Sequence, residues 1–375
     1  MRKQKILIDI FYLHVAQTGI RTYILTLCEE VKKHRDSEMA FIISPDFEKV
    51  NTSKFFKGKT STWKNLLFQG LYFFRKQFWL PLLSYWHGAD LIFSPDIMSP
   101  SWGRGHKISV IHDTFFWDNP EHYQPLWLKY YLFFLEQGLR KNASVVTITQ
   151  FSRERLLQIP IFQDLRIDVA YPSSGLHLPK ENQKRAENQE KYVLHVGVME
   201  KRKNLGLLVK AFGELIKEQG FKDYKLYLVG QRGPRAALDD YDQLLQLVEN
   251  LNLKGKVIFP GYVSKEQLKT YFQEALVYVF PSNNEGFGLP VLEAFSFGLP
   301  VIISTQGALM EVAGDAAFVL EKNEPEQLKS AMKKLAEEVD LREELGQKGI
   351  NRLKQFTTEK FFLSLKDIFK SLLNE

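Results

Sequence analysis

The sequence predicts an α/β protein with two domains, each built on a doubly wound parallel sheet. In both halves of the chain, apolar runs alternate with amphipathic helical segments, and turns containing glycine separate them. The chain has 375 residues, enough for two domains of ordinary size. An almost wholly polar stretch, Lys180 to Lys191, predicts a linker. We therefore expect one domain over residues 1–178, a second over 179–356, and a final amphipathic helix over 357–375.

The apolar runs give the expected strands. In the first half these are Lys5–Phe11, Ala40–Ser44, Leu91–Ser94, Ile108–Ile111 and Val145–Thr149. In the second half they are Tyr192–Val196, Leu226–Gly230, Val257–Pro260, Ala275–Phe280 and Val301–Ile303. Helices are expected after them, such as Ile20–Val31 and Leu205–Gln219. Because ligands bind at the carboxyl ends of parallel strands, the turns that follow the strands are the expected positions of a site.

The most informative stretch is 281–305, which reads PSNNEGFGLPVLEAFSFGLPVIIST. Pro290 suits a first helical turn, and Gly298 suits a left-handed residue past the helix end. A strand, a glycine turn and a helix in this order present unpaired N–H groups that favour a phosphate. Glu285 and Glu293 would repel a phosphate, so we expect them to accept hydrogen bonds from hydroxyls. This pattern indicates a nucleotide-sugar, although an acid such as Glu293 also stabilises a helix start without any function.

A second unusual feature is the run Glu200-Lys201-Arg202-Lys203-Asn204, between an expected strand and an expected helix. Cations at a helix N-terminus are disfavoured by the helix dipole. Such a charged run is ordinarily a solvated face of the protein. A bound diphosphate would explain why these cations lie at the N-terminal end of the helix.

The 281–305 stretch resembles the E-x7-E segment of the retaining glycosyltransferases of family 4, which have the GT-B fold. Glu285–Ala294 and Gly298–Val301 match its longer form, EGFGLPVLEA followed by GxPV. The resemblance covers nearly the whole chain, weakly over 1–110 and strongly over 190–320. It implies two Rossmann-like domains facing each other across a cleft, with the donor nucleotide in the second. It also implies that the final helix crosses back onto the first domain.

The resemblance assigns roles residue by residue. Arg202 and Lys203 match phosphate-binding cations in a G-x-x-x-x-R-K-N pattern that begins at Gly197. Glu285 would hold hydroxyls of the sugar and Glu293 those of the ribose. His112, in a His-Asp pair after a strand, would lie by the donor sugar, although a satisfied core histidine is the alternative. The other implied donor-binding positions are Gly19, Gly197, Gly230, Tyr262, Gly286, Phe287, Gly288 and Leu289.

No metal and no cofactor are expected, the nucleoside diphosphate-sugar being a substrate. Asp240-Tyr241-Asp242 has the form of a metal-binding D-x-D motif but lies in a helix-like run. GT-B enzymes generally bind the donor without a metal, so we interpret these acids as solvated groups in a first helical turn.

Composition points to a cytoplasmic protein. Cys28 is the only cysteine, which excludes an internal disulfide and favours a reducing compartment. The start, MRKQKILIDIF, meets Asp9 and is better interpreted as a strand than as a signal peptide. No run of about 18 apolar residues is present, so we expect no transmembrane helix.

Residues 51–80 carry six cations and no acid. The charge of this segment therefore equals the net charge of the whole chain, +6. Aromatic residues are interleaved with these cations, and the combination favours contact with an anionic membrane at the inner face of the bilayer. A packed aromatic core with a solvated rim of lysines is the alternative. Nucleic acid is not expected, because no nucleic-acid motif accompanies the patch.

The expected function is a retaining, metal-independent hexosyltransferase. The His-Asp pair and the R-K-N form resemble GDP-mannose and related group 1 transferases of bacterial polysaccharide synthesis, so mannose is the preferred hexose. We expect transfer from a nucleoside diphosphate-sugar to a hydroxyl of a lipid-linked saccharide acceptor. Two alternatives stay open: a nucleotide-sugar epimerase or hydrolase of the same fold, and a catalytically silent scaffold associated with the membrane.

Overall fold

The computed structural model describes residues 2–34, 36–53, 55–56, 62–174, 190–233 and 237–374. The chain divides into two compact units. Unit 1 comprises Met1–Gly175 with Phe356–Glu375, and unit 2 comprises Leu176–Gln355. The expected boundary between residues 178 and 179, and most of the expected linker, lie outside the described residues.

Unit 1 is built on a parallel sheet. Its strands are β1 (Gln4–Asp9), β2 (Met39–Ser44), β3 (Leu91–Ser94), β4 (His106–Ile111), β5 (Ala143–Thr147) and β6 (Ile167–Val169). Its helices before the linker are α1 (Thr18–Lys33), α2 (Phe47–Thr52), α3 (Thr62–Phe74), α4 (Leu80–His87), α5 (Phe115–Asp118), α6 (Pro125–Leu139) and α7 (Gln150–Leu157). Among the described residues the strand order is β2-β1-β3-β4-β5-β6, so the winding direction reverses between β1 and β3. The apolar strands are buried because helices cover both faces of such a sheet.

Three boundaries in unit 1 differ from the expectation, namely the end of β1, the start of α1 and the end of β5. The first strand ends at Asp9, and a 3-10 turn over Phe11–His14 follows it. Helix α1 begins at Thr18, so Gly19 lies in the first helical turn and not in a loop before the helix. Strand β5 ends at Thr147, because Thr149 caps α7 by accepting a hydrogen bond from the Ser152 N–H at 3.0 Å.

Unit 2 repeats this architecture. Its strands are β7 (Tyr192–Val196), β8 (Lys225–Val229), β9 (Val257–Gly261), β10 (Val277–Phe280), β11 (Val301–Ser304) and β12 (Phe318–Leu320). Its helices are α8 (Leu205–Leu215), α9 (Tyr241–Asn250), α10 (Lys265–Glu274), α11 (Leu289–Ser296), α12 (Leu309–Ala313), α13 (Pro325–Glu337) and α14 (Val339–Leu353). The described strands are ordered β12-β11-β10-β7-β8-β9, so the reversal falls between β7 and β10. The predicted doubly wound α/β class is confirmed for both units.

The last helix, α15 (Thr358–Asn374), belongs to unit 1. The Phe361 ring lies 4.7 Å from that of Tyr23 on α1, and Phe369 lies 5.1 Å from Phe93 on β3. Lys366 also pairs with Asp36. The expected return of the final helix to the first unit is therefore confirmed.

The segment 51–80 is only partly the basic surface that its composition indicates. Lys54, Lys57 and Lys59 lie outside the described residues. Arg75 and Lys76 are buried, in a π-helical turn over Arg75–Trp79 that joins α3 to α4. Lys76 Nζ lies 2.8 Å from Asp9 Oδ2 and 2.6 Å from Asp96 Oδ1. These two cations anchor the segment to the ends of β1 and β3 and do not contribute to a basic surface.

Many apolar side chains of this segment nevertheless face outward. We call the exposed set on α3, the π turn, α4 and α6 the aromatic surface: Trp63, Leu66, Leu67, Leu71, Phe74, Phe78, Trp79, Leu82, Tyr85, Trp86, Leu126, Tyr130 and Phe133. Phe73 joins the two parts, since its ring lies 5.5 Å from Tyr130 and 4.5 Å from Phe134. Over the described part of the chain, no helix combines the length and the apolar composition needed to cross a membrane.

Candidate functional site

The candidate site of unit 2 lies where β7 and β10 end, at the reversal of the strand order. The loop after β7 packs closely against the loop after β8. A Cβ atom on Gly230, whose φ is +149°, would lie 1.8 Å from the Gly197 carbonyl oxygen. Only glycine fits at position 230, so the two loops can approach closely at the edge of the sheet, where the Gly197 N–H donates to the Val229 carbonyl at 2.9 Å.

A cluster of four charged side chains occupies this position. Arg202 Nη1 donates to Glu285 Oε1 at 2.8 Å, and Lys203 Nζ donates to the same oxygen at 2.5 Å. Arg202 Nε donates to Glu200 Oε2 at 2.7 Å. The structure thus brings together Arg202, Lys203 and Glu285, which are 82 to 83 residues apart in sequence.

Burial and neighbouring charges shift the pKa values of Glu285 and Lys203 in opposite directions. Burial alone would raise the pKa of Glu285, but the nearby Lys203 and Arg202 outweigh it and lower the pKa to about 2. Burial lowers the pKa of Lys203, and the attraction of Glu285 offsets only part of that effect. The Lys203 ammonium also lies 4.4 Å from the centre of the Phe280 ring, a cation–π contact.

The loops after β7 and β10 are joined by further hydrogen bonds. Ser282 Oγ lies 2.9 Å from the Arg202 carbonyl oxygen and 3.0 Å from Glu285 Oε1. The Asn283 N–H donates to the Arg202 carbonyl at 2.8 Å. Sequence reasoning did not single out Ser282 or the pairing of Glu200 with Arg202. The available signal was that these residues lie in the loops that follow β7 and β10.

Helix α11 begins at Leu289, four residues after Glu285 of the cluster. The predicted proline and glycine lie at its two ends. Gly288, at the N-cap, has a φ of +100°, and a Cβ there would lie 2.8 Å from Leu309 Cδ2. The helix starts at Leu289, Pro290 follows in its first turn, and Gly298 has the left-handed φ of +63°. Pro290 carries no N–H and the Val291 N–H donates to the Gly288 carbonyl at 2.9 Å, so the Leu289 N–H is the group of the first turn that can face an anion. Of the predicted positions here, Phe287 and Gly288 are buried, and Gly286 and Leu289 are half-buried.

The second predicted acid, Glu293, lies on α11 and is half-buried. Burial raises its pKa to about 7. This carboxyl therefore changes its charge in the neutral range, whereas Glu285 stays ionised throughout it.

The sequence analysis missed a buried histidine, His195, which lies on β7 next to the Phe280 ring. The imidazole of His195 on β7 is fully buried and donates from Nδ1 to the Val279 carbonyl at 2.9 Å. Burial lowers its pKa to about 3, so the ring is neutral. The ring stacks on Phe280, with centroids 5.5 Å apart. His195 thus supports the ring on which Lys203 rests.

Tyr262 follows β9 and is 79% exposed. Asp240 is the N-cap residue of α9 and is half-buried, and burial raises the pKa of its carboxyl. Asp242 is exposed and pairs with Arg232. Within the described ranges, no group of three or more His, Cys, Asp or Glu side chains is arranged to hold a metal ion.

The predicted residues of unit 1 lie at the ends of its own elements. His112 directly follows β4, is half-buried, and donates from Nε2 to the Pro95 carbonyl at 3.3 Å. Burial lowers the pKa of its imidazole, which favours the neutral form. Tyr23 packs edge-on against the ring at 5.1 Å. Asp113 accepts a hydrogen bond from the Phe115 N–H at 3.1 Å, which supports the loop.

Two doubly wound parallel sheets in one chain, with a charged cluster and a helix N-terminus at the switch point of the second, have the architecture of the GT-B fold. A family model described as "Glycosyl transferases group 1" matches residues 179–352. O-antigen chain mannosyltransferase B of Escherichia coli is 31% identical over 260 residues, 67% of this chain and 67% of that protein. The chain belongs to the group 1 glycosyltransferases, which confirms the resemblance.

A second relative and the solved structures agree with this family and fold. O-antigen chain mannosyltransferase RfbU of Salmonella typhimurium is 26% identical over 246 residues, which are 66% of this chain and 64% of that protein. Among solved structures, a sucrose-phosphate synthase from Thermosynechococcus elongatus superposes with a TM-score of 0.70 at 18% identity and covers 100% of both chains. At this identity the structural likeness shows the fold alone.

Proposed function

We propose that this glycosyltransferase moves a hexose, preferably mannose, from a nucleoside diphosphate-sugar to an acceptor hydroxyl with retention of the anomeric configuration. The acceptor is a lipid-linked saccharide, and the product enters a cell-surface polysaccharide. The names of the two mannosyltransferase relatives support the sugar and the pathway. The observation that carries the proposal is the Arg202–Lys203–Glu285 cluster at the strand-order reversal, followed by the N-terminus of α11.

Each residue has a role in this proposal. Arg202, Lys203 and the N–H groups of residues 286–289 stabilise the diphosphate, where negative charge grows as the bond to the sugar breaks. Glu285 accepts hydrogen bonds from sugar hydroxyls, and Glu293 accepts them from the ribose. His112 contacts the donor sugar.

The proposed reaction uses no protein nucleophile. The acceptor hydroxyl attacks the anomeric carbon on the face from which the diphosphate leaves. Its proton passes to the departing phosphate oxygen while the bond between the sugar and that oxygen breaks. The two cations supply the charge stabilisation without a resident metal or cofactor, which stays a prediction.

The aromatic surface is proposed to rest on the inner face of an anionic membrane, which keeps the cytoplasmic enzyme near a lipid-linked acceptor. Large exposed aromatic side chains favour the interfacial region of a bilayer. No acid occurs between residues 51 and 89, so repulsion from anionic lipids is absent along this stretch of sequence.

The test is a thermal-shift panel of GDP-, UDP- and dTDP-sugars with the wild type, Glu293→Ala and Lys203→Ala. One donor is expected to raise the melting temperature of the wild type by several degrees. Glu293→Ala should lose the effect, whereas Lys203→Ala should only weaken it, because Lys203 is proposed to act mainly in the transition state. Release of free sugar from the donor alone would instead favour a hydrolase. Vesicle binding with no response to any nucleotide would favour the scaffold.

A further inference from the structure

The cations expected to bind the donor diphosphate are already neutralised by the protein. Arg202 contacts Glu200 and Glu285 at 2.7 and 2.8 Å, and Lys203 contacts Glu285 at 2.5 Å. Two positive charges therefore face two negative charges. The Lys203 and Glu285 side chains are 7% and 9% exposed, so solvent screens this contact only weakly. An incoming diphosphate meets a cluster without net charge and competes with Glu285 for both cations.

Glu285 is built so that its side chain can change partners while its backbone stays in place. The Ala308 N–H donates to the Glu285 carbonyl at 2.9 Å. A Cβ atom on Gly307 would lie 2.6 Å from the Glu285 nitrogen and carbonyl oxygen, so the two backbones are in close contact. Lys203 and Arg202 also keep other partners, the Phe280 ring and Glu200.

We propose that Glu285 is an internal counter-ion that the donor phosphate displaces and the donor sugar then satisfies. Arg202 and Lys203 transfer their hydrogen bonds from Glu285 to the diphosphate, and the freed Oε1 accepts a hydrogen bond from a sugar hydroxyl. This inference rests on the proposed function. It adds a consequence: a nucleoside diphosphate without sugar displaces Glu285 but offers no hydroxyl to it.

The exchange therefore distinguishes the donor from the product nucleotide. With the donor, the displaced carboxylate gains a new partner, so the displacement is largely offset. After transfer, the sugar is gone and Glu285 competes again for the two cations. The protein thus weakens its hold on the nucleoside diphosphate at the point where the product has to leave.

The test is calorimetric titration of the full chain with GDP, UDP, GDP-mannose and UDP-glucose. Glu285→Gln keeps the shape and removes the charge. It should bind the free diphosphate about tenfold or more tightly than the wild type, because buried charge pairs couple strongly. Its preference for the sugar-loaded donor over the free diphosphate should fall by a similar factor.

Two further variants separate charge from sugar contact. Glu200→Gln also removes a partner of Arg202, but it should tighten the free diphosphate and the sugar-loaded donor alike. Glu249→Gln removes an exposed acid near the C-terminal end of α9 and should change neither affinity by more than about twofold, since distant exposed charges are screened. Circular dichroism of each variant confirms that it is folded before the titrations are compared.

The outcomes are distinguishable. If Glu285→Gln binds the free diphosphate no more tightly than the wild type does, the exchange is wrong while the donor site stands. If Glu285→Gln and Glu200→Gln change both ligands equally, Glu285 acts as a bare charge and the sugar contact is refuted. If the folded wild type binds none of the four nucleotides and no dTDP-sugar, the proposed function fails and the exchange with it.

Discussion

Replacing Lys76 by methionine removes the charge that links the segment of the aromatic surface to the sheet of unit 1. The ammonium is fully buried, 2.8 Å from Asp9 and 2.6 Å from Asp96. Burial alone would lower the pKa of Lys76, but the two carboxylates outweigh it and raise the pKa, so the side chain stays charged. Methionine fills a similar volume and cannot donate a hydrogen bond.

The expected loss of stability in Lys76→Met depends on which partners the two carboxylates keep. Asp9 keeps Arg75 at 3.1 Å and Asp96 keeps the Tyr72 hydroxyl at 2.6 Å, so neither carboxylate is left without a donor. Removing one partner of a buried ion pair commonly costs about 3–5 kcal/mol. For a unit of this size, that corresponds to a drop in melting temperature of roughly 6–20 °C.

Tryptophan fluorescence isolates the unfolding of unit 1, because all six tryptophans lie between Trp63 and Trp127. The matched control is Lys64→Met, since Lys64 lies over the Phe55 ring at 4.7 Å. That change should cost about 1 kcal/mol or less. Adding Asp96→Asn to Lys76→Met should restore part of the loss, because one unpaired negative charge is removed. A melting temperature for Lys76→Met equal to that of Lys64→Met would refute the anchoring role.

Three further results are expected. Lys203→Ala should lower kcat by about 100-fold or more while donor affinity changes by less than about tenfold, because its contact strengthens as charge develops; steady-state kinetics with an unchanged kcat would contradict this. Donor affinity should rise between pH 6 and 8, since the Glu293 carboxyl has a pKa of about 7 and its ionised form accepts ribose hydroxyls better. Titrations of Glu293→Gln should lose this dependence, and a wild-type affinity that is flat over this range would contradict the role. Trp86→Ser, at a side chain that is 86% exposed, should weaken flotation with anionic vesicles several-fold, whereas Leu245→Ser on α9 should not; equal effects of the two changes would exclude specific contact through the aromatic surface.

The sequence by itself determined the fold class, most strand positions and the family. The strands are continuous apolar runs because they are buried on both faces, so their local composition is sufficient to identify them. The two ends of α11 were also predictable, because Pro290 and Gly298 suit only a few backbone conformations. Boundaries such as the start of α1 were missed where a 3-10 turn separates strand from helix, which placed Gly19 inside the helix.

Only the tertiary structure decided which charges meet. The composition of 51–80 counted Arg75 and Lys76 toward a basic surface, yet both are buried against acids at the ends of β1 and β3. Glu285 was expected to meet hydroxyls, and the structure places it against Arg202 and Lys203. Strand order sets these contacts, because it brings the ends of β7 and β10 side by side although more than 80 residues separate them. The pairing of charges that are this far apart in sequence depends on which strands are neighbours in the sheet. Local residue patterns do not determine strand order, so they do not predict these pairs.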